Sequence, residues 1–212
     1  MSAKKKLYLA TGNEHKRQEM RQLLPDYEIR IPGDDGIDFN PDEDGGSFHE
    51  NSLIKARALW EIVHEAVIAD DSGICVDALD GAPGIYTSRY AGPDFPRGRP
   101  DGAKIPQAEQ NALLIEQLNR TGSKNRKCRY VCAMTLLLSP DRFFVAQETF
   151  EGELIESVEN QAGTGGFGYD PIVFLPQHNM TVAQVGAEEK NRISHRGKAV
   201  RAIAEILRSL EN

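Results

Sequence analysis

A chain of 212 residues with 40% hydrophobic and 27% charged side chains has the composition of a soluble globular protein, long enough to bury one sizeable core. No apolar run approaches the roughly 20 residues that cross a bilayer, and the basic opening Met1 to Lys6 is followed by too short an apolar stretch for a secretory signal. A cytoplasmic protein with no membrane partner is expected. Its 32 acidic against 25 basic residues give a formal net charge of −7, which argues against a nucleic-acid polymer as partner, because such binding rests on neutralising phosphates. Cys75, Cys128 and Cys132 fit a reducing compartment and small core positions better than a disulfide framework or a metal pair.

Lys4 to Ala10 reads as a buried strand that ends in Thr11-Gly12-Asn13 and turns into an amphipathic helix, Asn13 to Leu24, with Met20, Leu23 and Leu24 inward and Pro25 as its stop. The junction reads as a phosphate cradle. Gly12 is flexible, and Thr11 and Asn13 are helix-starting residues that leave backbone N–H groups pointing outward. Lys16 and Arg17 lie in the first turns, where the macrodipole is positive, and a bound anion would relieve that conflict. A plain cap at Thr11 or Asn13 with a solvated Lys16 fits the same residues. Tyr27 to Ile31 is a second short strand, and Pro32 to Gly46 is an acidic loop containing Asp42, Glu43 and Asp44. Ser47 and Glu50 form a capping box before Leu53, Ala56, Leu59, Trp60 and Val63, which predicts a helix of about four turns. Lys55 on this helix can look either to solvent or to the site, and solvent is the expectation.

Ala66 to Ala69 reads as a buried strand running into Asp70-Asp71-Ser72-Gly73, with strand character returning over Ile74 to Ala78. Successive strand residues point to opposite faces, so one of the two acids can enter a shared cleft while the other braces a turn. An Asp-Asp-Ser-Gly turn chosen for its turn chemistry alone is the alternative. Gly81 to Gly92 is turn-rich with a short strand, Pro93 to Pro106 is a surface loop, and Gln107 to Leu118 is another amphipathic helix. Lys127 to Leu138 and Arg142 to Phe150 form an antiparallel hairpin, which Glu151 to Ile155 extends. Gly163 to Pro171 carries four glycines in six positions, a composition suited to close approach of backbone to a ligand, with Phe167 or Tyr169 offering an aromatic face. A purely structural loop is the alternative there. Ser194 is a natural cap for a terminal helix bearing Val200, Ile203, Ile206, Leu207 and Leu210. His195 and Arg196 repeat the cation-at-a-helix-start pattern, and two such starts in an acidic chain point to an anionic ligand.

Together the segments ATGNEHK at 10–16, ADDSG at 69–73, GAPGIYTSRYAG at 81–92, GTGGFGYDPIVF at 163–174 and EEKNRISHRGKA at 188–199 resemble the inosine triphosphate pyrophosphatase family, also called the dITP/XTP pyrophosphatases. The resemblance runs from the amino to the carboxyl end. It implies an α/β fold with an elongated mixed β-sheet flanked by helices, two lobes with a central cleft, residues 1–212 as a single domain, and a homodimer. It also implies an enzyme that hydrolyses deaminated purine nucleoside triphosphates (ITP, dITP, XTP) to the monophosphate and pyrophosphate, clearing them from the nucleotide pool, with Mg²⁺ required.

Residue by residue, the resemblance implies that Thr11, Gly12, Asn13 and Lys16 bind the phosphates and that Asp71 is the general base and a magnesium ligand. Ser72 would sit beside the nucleotide. Phe167 would stack on the base within Phe167-Gly168-Tyr169-Asp170, and Lys190, His195 and Arg196 would complete the base and sugar end. Glu43 occupies what looks like the second acidic metal position, flanked by Asp42 and Asp44. Donors from Arg196 or His195 would match the 6-oxo group of these purines and oppose the N6 donor of adenine. The Pro93 to Pro106 loop departs from the family pattern by being longer and rich in Pro and Gly, which touches the cleft rim or dimer contact more than the chemistry. A module that binds the nucleotide without hydrolysing it is the competing class, and it would have no use for Asp70, Asp71 and Glu43 together.

Overall fold

The computed structural model describes residues 4–211, so residues 1–3 of the basic opening and residue 212 lie outside the described residues. In chain order the main elements are β1 (Lys5–Leu9), α1 (Glu14–Leu23), β2 (Tyr27–Arg30), α2 (Phe48–Val63), β3 (Val67–Val76), α3 (Gln107–Arg120), β4 (Lys127–Ser139), β5 (Arg142–Leu154), β6 (Val173–Leu175), β7 (Met180–Thr181), α4 (Ala187–Ile193) and α5 (His195–Glu211). The strands form a seven-stranded sheet in the order β2-β1-β3-β4-β5-β6-β7. β1 pairs in parallel with β2 and β3, as the helical crossovers α1 and α2 require, whereas β6 pairs antiparallel with β5 and β7. The mixed sheet flanked by helices agrees with the expected fold class. Among the described residues no helix is long and apolar enough to cross a membrane.

Two compact units share the chain. The first comprises Met1–Asp71, Cys132–Glu148 and Ser194–Asn212, and the second Ser72–Val131 and Thr149–Ile193. In the first unit the two-residue strand period sorts the core onto two faces. Leu7, Leu9, Ile68, Cys132, Met134 and Leu136 pack with Met20 and Leu24 beside α1 and with Ala199, Val200 and Ile203 of α5. Tyr8, Ala10, Val67, Ala69 and Leu137 pack with Ala56 and Leu59 of α2. On that second face the hydroxyls of Ser52 and Thr135 meet at 2.7 Å. Continuing the alternation along β3, Asp70 follows Ile68 toward α1 and α5, and Asp71 follows Ala69 toward α2.

The expected turn at Asp70 to Gly73 does not exist. β3 runs unbroken through it and is buried at every position but Ser72. Pairing overrides the turn chemistry of Asp-Asp-Ser-Gly, because a strand with neighbours on both sides satisfies its backbone groups only by staying extended. At α2 the Ser47 hydroxyl accepts from the Glu50 N–H at 3.3 Å, as the capping box requires, but the Glu50 carboxylate accepts from the Gly46 N–H at 2.7 Å rather than from Ser47.

The core of the second unit gathers Ile74 and Val76 of β3, Leu114, Ile115 and Leu118 of α3, Cys128 and Tyr130 of β4, and Tyr90, Tyr169 and Ile172 from the connections. Over 81–92 the expected short strand is replaced by a 3₁₀ turn at Gly84–Tyr86 and a one-residue bridge between Cys75 and Pro83. Pro93 to Pro106 holds no helix or strand. It is tied back where the guanidinium of Arg97 lies 5.4 Å from the Tyr86 ring, which also carries Arg89 at 5.0 Å. All three cysteines are free and buried, as expected of small core residues.

Candidate active site

On the α1/α5 face of the first unit, Asp70 is 2% exposed. Its carboxylate accepts from Lys16 Nζ at 2.9 and 3.0 Å and from Arg196 Nε and Nη2 at 3.3 and 3.2 Å, while Arg196 Nη1 donates to Glu19 at 2.7 Å. Burial resists ionisation of Asp70, but the charges of Lys16, Arg196 and Lys55 outweigh it and hold the carboxyl well below the usual range. For Arg196, burial opposes the charge and Asp70 and Glu19 restore it, so the guanidinium is held protonated. Both helix starts thus have partners within the fold. The cations that sit uneasily at the beginnings of α1 and α5 are answered by Asp70 and Glu19 from within the fold, and Arg17 is answered by Asp34 at 2.7 Å and Glu14 at 3.4 Å. An external anion is not required to explain them.

On the opposite face, Asp71 accepts from Asn51 Nδ2 through Oδ2 at 3.2 Å and from Lys55 Nζ through Oδ1 at 3.4 Å. Lys55 Nζ also reaches Glu43 Oε2 at 3.1 Å. Lys55 was expected in solvent and is instead 7% exposed, at the centre of this cluster. Burial opposes its charge, yet Asp71, Asp70 and Glu43 together raise its pKa above the ordinary lysine value. Asp71 is raised as well. Its burial comes first and the charge of Glu43 adds to it, and Lys55 and the Asn51 hydrogen bond only partly compensate. Burial is the first cause at Asp71, and the imbalance of one ammonium serving two carboxylates adds to it. Asp42 and Asp44 are exposed, so of the three consecutive acids Glu43 is the one that joins Asp71.

That imbalance is the test of whether a divalent ion suits these residues, and the donor set fits Mg²⁺. Both donors are hard carboxylate oxygens, they converge on one cation, and they carry more negative charge than that cation neutralises. Among the described residues no group of three or more His, Cys, Asp or Glu side chains is gathered for a metal. A Mg²⁺ ion here would therefore take one or two carboxylates and find its other oxygens elsewhere, the usual habit of this ion with phosphate substrates.

The junction before α1 differs from an open cradle. Asn13 is the cap, its Oδ1 accepting from the N–H groups of His15 at 2.9 Å and Lys16 at 3.3 Å. Thr11 Oγ1 accepts from the Asn13 N–H at 3.1 Å, and the Thr11 N–H donates to Leu9 O at 2.8 Å. These amides are used internally, which is the plain-cap alternative. Gly12 keeps the space a ligand would need, since a Cβ there would meet nothing within 4 Å.

In the second unit the organising group is Asp170. Its Oδ1 accepts from the Tyr130 hydroxyl at 3.0 Å, and its Oδ2 accepts from the Phe167 N–H at 2.8 Å and Lys190 Nζ at 2.6 Å. Lys190 Nζ also lies 5.1 Å from the centre of the Phe167 ring, which is 40% exposed. Tyr169, by contrast, is buried. Its hydroxyl donates to Thr87 O at 3.2 Å, and burial pushes its pKa up. Of the two aromatics, Phe167 is the one that presents a face, and the Tyr169 ring belongs to the core.

Three of the glycines around these residues, Gly163, Gly165 and Gly166, are required by internal packing. A Cβ on Gly166, whose φ is +72°, would fall 2.0 Å from Asp170 Oδ2, and one on Gly163 or Gly165 would strike the Ala183 carbonyl group at 2.5 or 2.8 Å. Gly168 also has positive φ, in open space, and its carbonyl accepts from Asn111 Nδ2 at 3.4 Å. Ser72 is half-buried on β3, and His195 is buried at the start of α5, where Ser194 Oγ caps the Gly197 N–H at 3.1 Å.

Local reading missed Asn51, gave Lys55 to solvent over the site, and missed Glu19 and Tyr130. A signal for the first two was present. Asn51, Ser52, Lys55, Ala56 and Leu59 form the buried stripe of α2 at helical spacing, with polar members where an apolar pattern was sought.

A profile of the Ham1 family matches residues 7–206. The chain belongs to the Ham1 family. Within that family it is similar over nearly its whole length to proteins named dITP/XTP pyrophosphatase. The Treponema denticola protein is 45% identical over 204 residues, covering 96% of this chain and 98% of that one, and the Streptomyces coelicolor protein is 41% identical over 210 residues, covering 97% and 98%. Among solved structures, the Ham1 protein of Staphylococcus aureus superposes with a TM-score of 0.80 at 33% identity, and that of Coxiella burnetii with 0.83 at 32%. Each match covers 97% of this chain and 99% of the other. The seven-stranded sheet and its helical layers are thus the Ham1 fold.

Proposed function

We propose that this Ham1 protein is a Mg²⁺-dependent nucleoside triphosphate diphosphohydrolase that converts deaminated purine nucleotides (ITP, dITP, XTP) and water to the monophosphate and pyrophosphate, removing them from the nucleotide pool. The observation that carries the reading is the cluster of Asp71, Lys55 and Glu43, two carboxylates from β3 and the loop before α2 around one ammonium of α2. Without a further cation to balance it, a second carboxylate beside the buried Asp71–Lys55 pair is unfavourable.

Asp71 is the base. Its raised pKa makes it a better proton acceptor than an ordinary carboxylate. As the water oxygen bonds to the α-phosphorus, the bond from that phosphorus to the bridging oxygen breaks, Asp71 takes the water's proton, and pyrophosphate leaves with the bond's electron pair. Lys16 and Lys55 offset the negative charge that develops on the phosphates. Asp71 and Glu43 would hold Mg²⁺, which when bound neutralises phosphate charge and polarises the reacting phosphoryl group. Thr11, Gly12 and Asn13 are assigned to the phosphates, Ser72 to the nucleotide beside them, and Phe167 to stacking on the base. Asp170 holds the Phe167 N–H, Gly168 and Tyr169 complete that substrate-binding segment, and Lys190, His195 and Arg196 supply donors at the base and sugar end.

The test is direct. With Mg²⁺ and ITP the purified protein should release pyrophosphate and IMP in equal amounts, with no orthophosphate and no turnover after chelation of the metal. ITP and XTP should be cleaved well above GTP, and ATP should be poorer by up to about 10⁴-fold, the discrimination available when buried polar groups are left unpaired. Binding of ITP without turnover would instead make the protein a nucleotide sensor. The working state is further proposed to be a cytoplasmic homodimer, in keeping with three free thiols. Light scattering should return twice the chain mass and cell fractionation should find the protein in the soluble fraction, and a monomer or a membrane-bound pool would overturn the respective point.

A further inference from the structure

Asn51 is 1% exposed, and both ends of its amide are in use. Oδ1 accepts from the Gly45 N–H at 2.9 Å, and Nδ2 donates to Asp71 Oδ2 at 3.2 Å. Gly45 lies two residues after Glu43 and is pressed onto this amide, since a Cβ there would stand 2.7 Å from Asn51 Oδ1. One helical turn further along α2, Lys55 donates to the other oxygen of Asp71 and to Glu43. Residues four apart share a helix face, so Asn51 and Lys55 divide the two oxygens of one carboxylate between them.

We propose that Asn51 is a positioning residue that acts through Asp71: by holding Oδ2 it fixes Oδ1 toward Lys55 and Glu43, and through Gly45 it keeps the Glu43 turn in register with that oxygen. The inference rests on Asp71 being the base of the proposed hydrolysis. The chemistry of the side chain suits the task. A primary amide can accept from a backbone N–H at one end and donate to a carboxylate at the other, and without charge. Aspartate in its place keeps the shape and the acceptor for Gly45 but sets oxygen against oxygen at Asp71. Leucine keeps the volume and removes both contacts.

The experiment measures kcat and KM for ITP in Asn51→Asp, Asn51→Leu, Asp71→Asn and the double variant Asn51→Leu/Asp71→Asn, with thermal unfolding to establish that each is folded. Losing the partner that orients a working ligand typically costs about 10–100-fold. A fall of that size in kcat, with KM nearly unchanged, is expected for both single Asn51 variants. In the Asp71→Asn background, Asn51→Leu should cost nothing further, because the group it acts through has gone. Amide hydrogen exchange at Gly45, read without substrate, should accelerate in Asn51→Leu and stay slow in Asn51→Asp. A folded Asn51→Asp with kcat within about twofold of wild type would overturn the proposal, as would an undiminished effect of Asn51→Leu in the double variant, which marks a purely structural role. If Asp71→Asn itself turns over normally, the reading of Asp71 as the base falls and the role of Asn51 with it. If Asp71→Asn is impaired and Asn51→Asp is not, only the role of Asn51 falls.

Discussion

Asp71→Asn is expected to fold, to melt at or slightly above the wild-type temperature, and to release pyrophosphate from ITP about 10²–10⁴-fold more slowly, the usual loss when general acid–base catalysis is removed. The two halves of that expectation have the same origin. Burial and the charge of Glu43 raise the pKa of Asp71 above its unfolded value. The folded state therefore binds this proton more tightly than the unfolded state, and the group's contribution to stability falls as pH rises through the window between the ordinary carboxylate value and the raised one. At neutral pH the ionised form is a cost to the fold. An amide of the same shape removes that cost, still accepts from Asn51, and leaves Lys55 paired with Glu43 alone. It removes the proton acceptor too. Side-by-side melting curves and pyrophosphate assays check both halves, and wild-type turnover in a folded variant would take Asp71 out of the mechanism.

The adjacent residue should behave in the opposite way. Asp70→Asn leaves Lys16 and Arg196 facing a neutral amide in a buried site, and breaking a buried ion pair by removing one partner costs about 3–5 kcal/mol. For a protein of this size that corresponds to a fall in melting temperature of roughly 6–20 °C. The pH dependence also reverses. Despite burial, Lys16 and Arg196 depress the folded pKa of Asp70 below its unfolded value. Its stabilisation is fully present above about pH 4, near the unfolded value, and is lost as pH falls through the lower folded pKa. The wild-type advantage over Asp70→Asn should therefore be widest at neutral pH and shrink in strong acid. Thermal unfolding of both proteins across acid pH measures this, and equal melting temperatures at pH 7 would remove Asp70 as the anchor of the two cations.

These contrasting roles were partly legible in the chain. Alternation along β3 divides the two acids between faces whatever surrounds them, and the hydrophobic spacing of α1, α2 and the β4–β5 pair placed those elements within a few residues. What local pattern could not supply were the partners. Arg196 meets Asp70 across 126 positions and Lys16 meets it across 54, so nothing near either helix start announces that its cation is already answered. A lysine stem usually reaches water, whereas Lys55 is held charged in its buried place by the carboxylates of Asp71, Asp70 and Glu43. The glycine run at 163–168 suggests room for a ligand, whereas at Gly163, Gly165 and Gly166 the contacts that exclude a Cβ come from Ala183, Asp170 and Lys190. Tyr169 was grouped with Phe167 by proximity in sequence, although the backbone turns one ring outward and the next but one inward.

Because β3 is a single uninterrupted strand, the two acids are subject to a reading-frame constraint that loop-borne residues escape. Inserting one residue between Val67 and Ile68 would carry the first acid into the place facing Lys55, move the second one position beyond it on the Arg196 face, and turn Ile68 and Ala69 over at the same stroke. Length changes in this family should consequently accumulate in segments such as 93–106 and be purged from β3, and a laboratory library of single-residue indels should find its sharpest intolerance there.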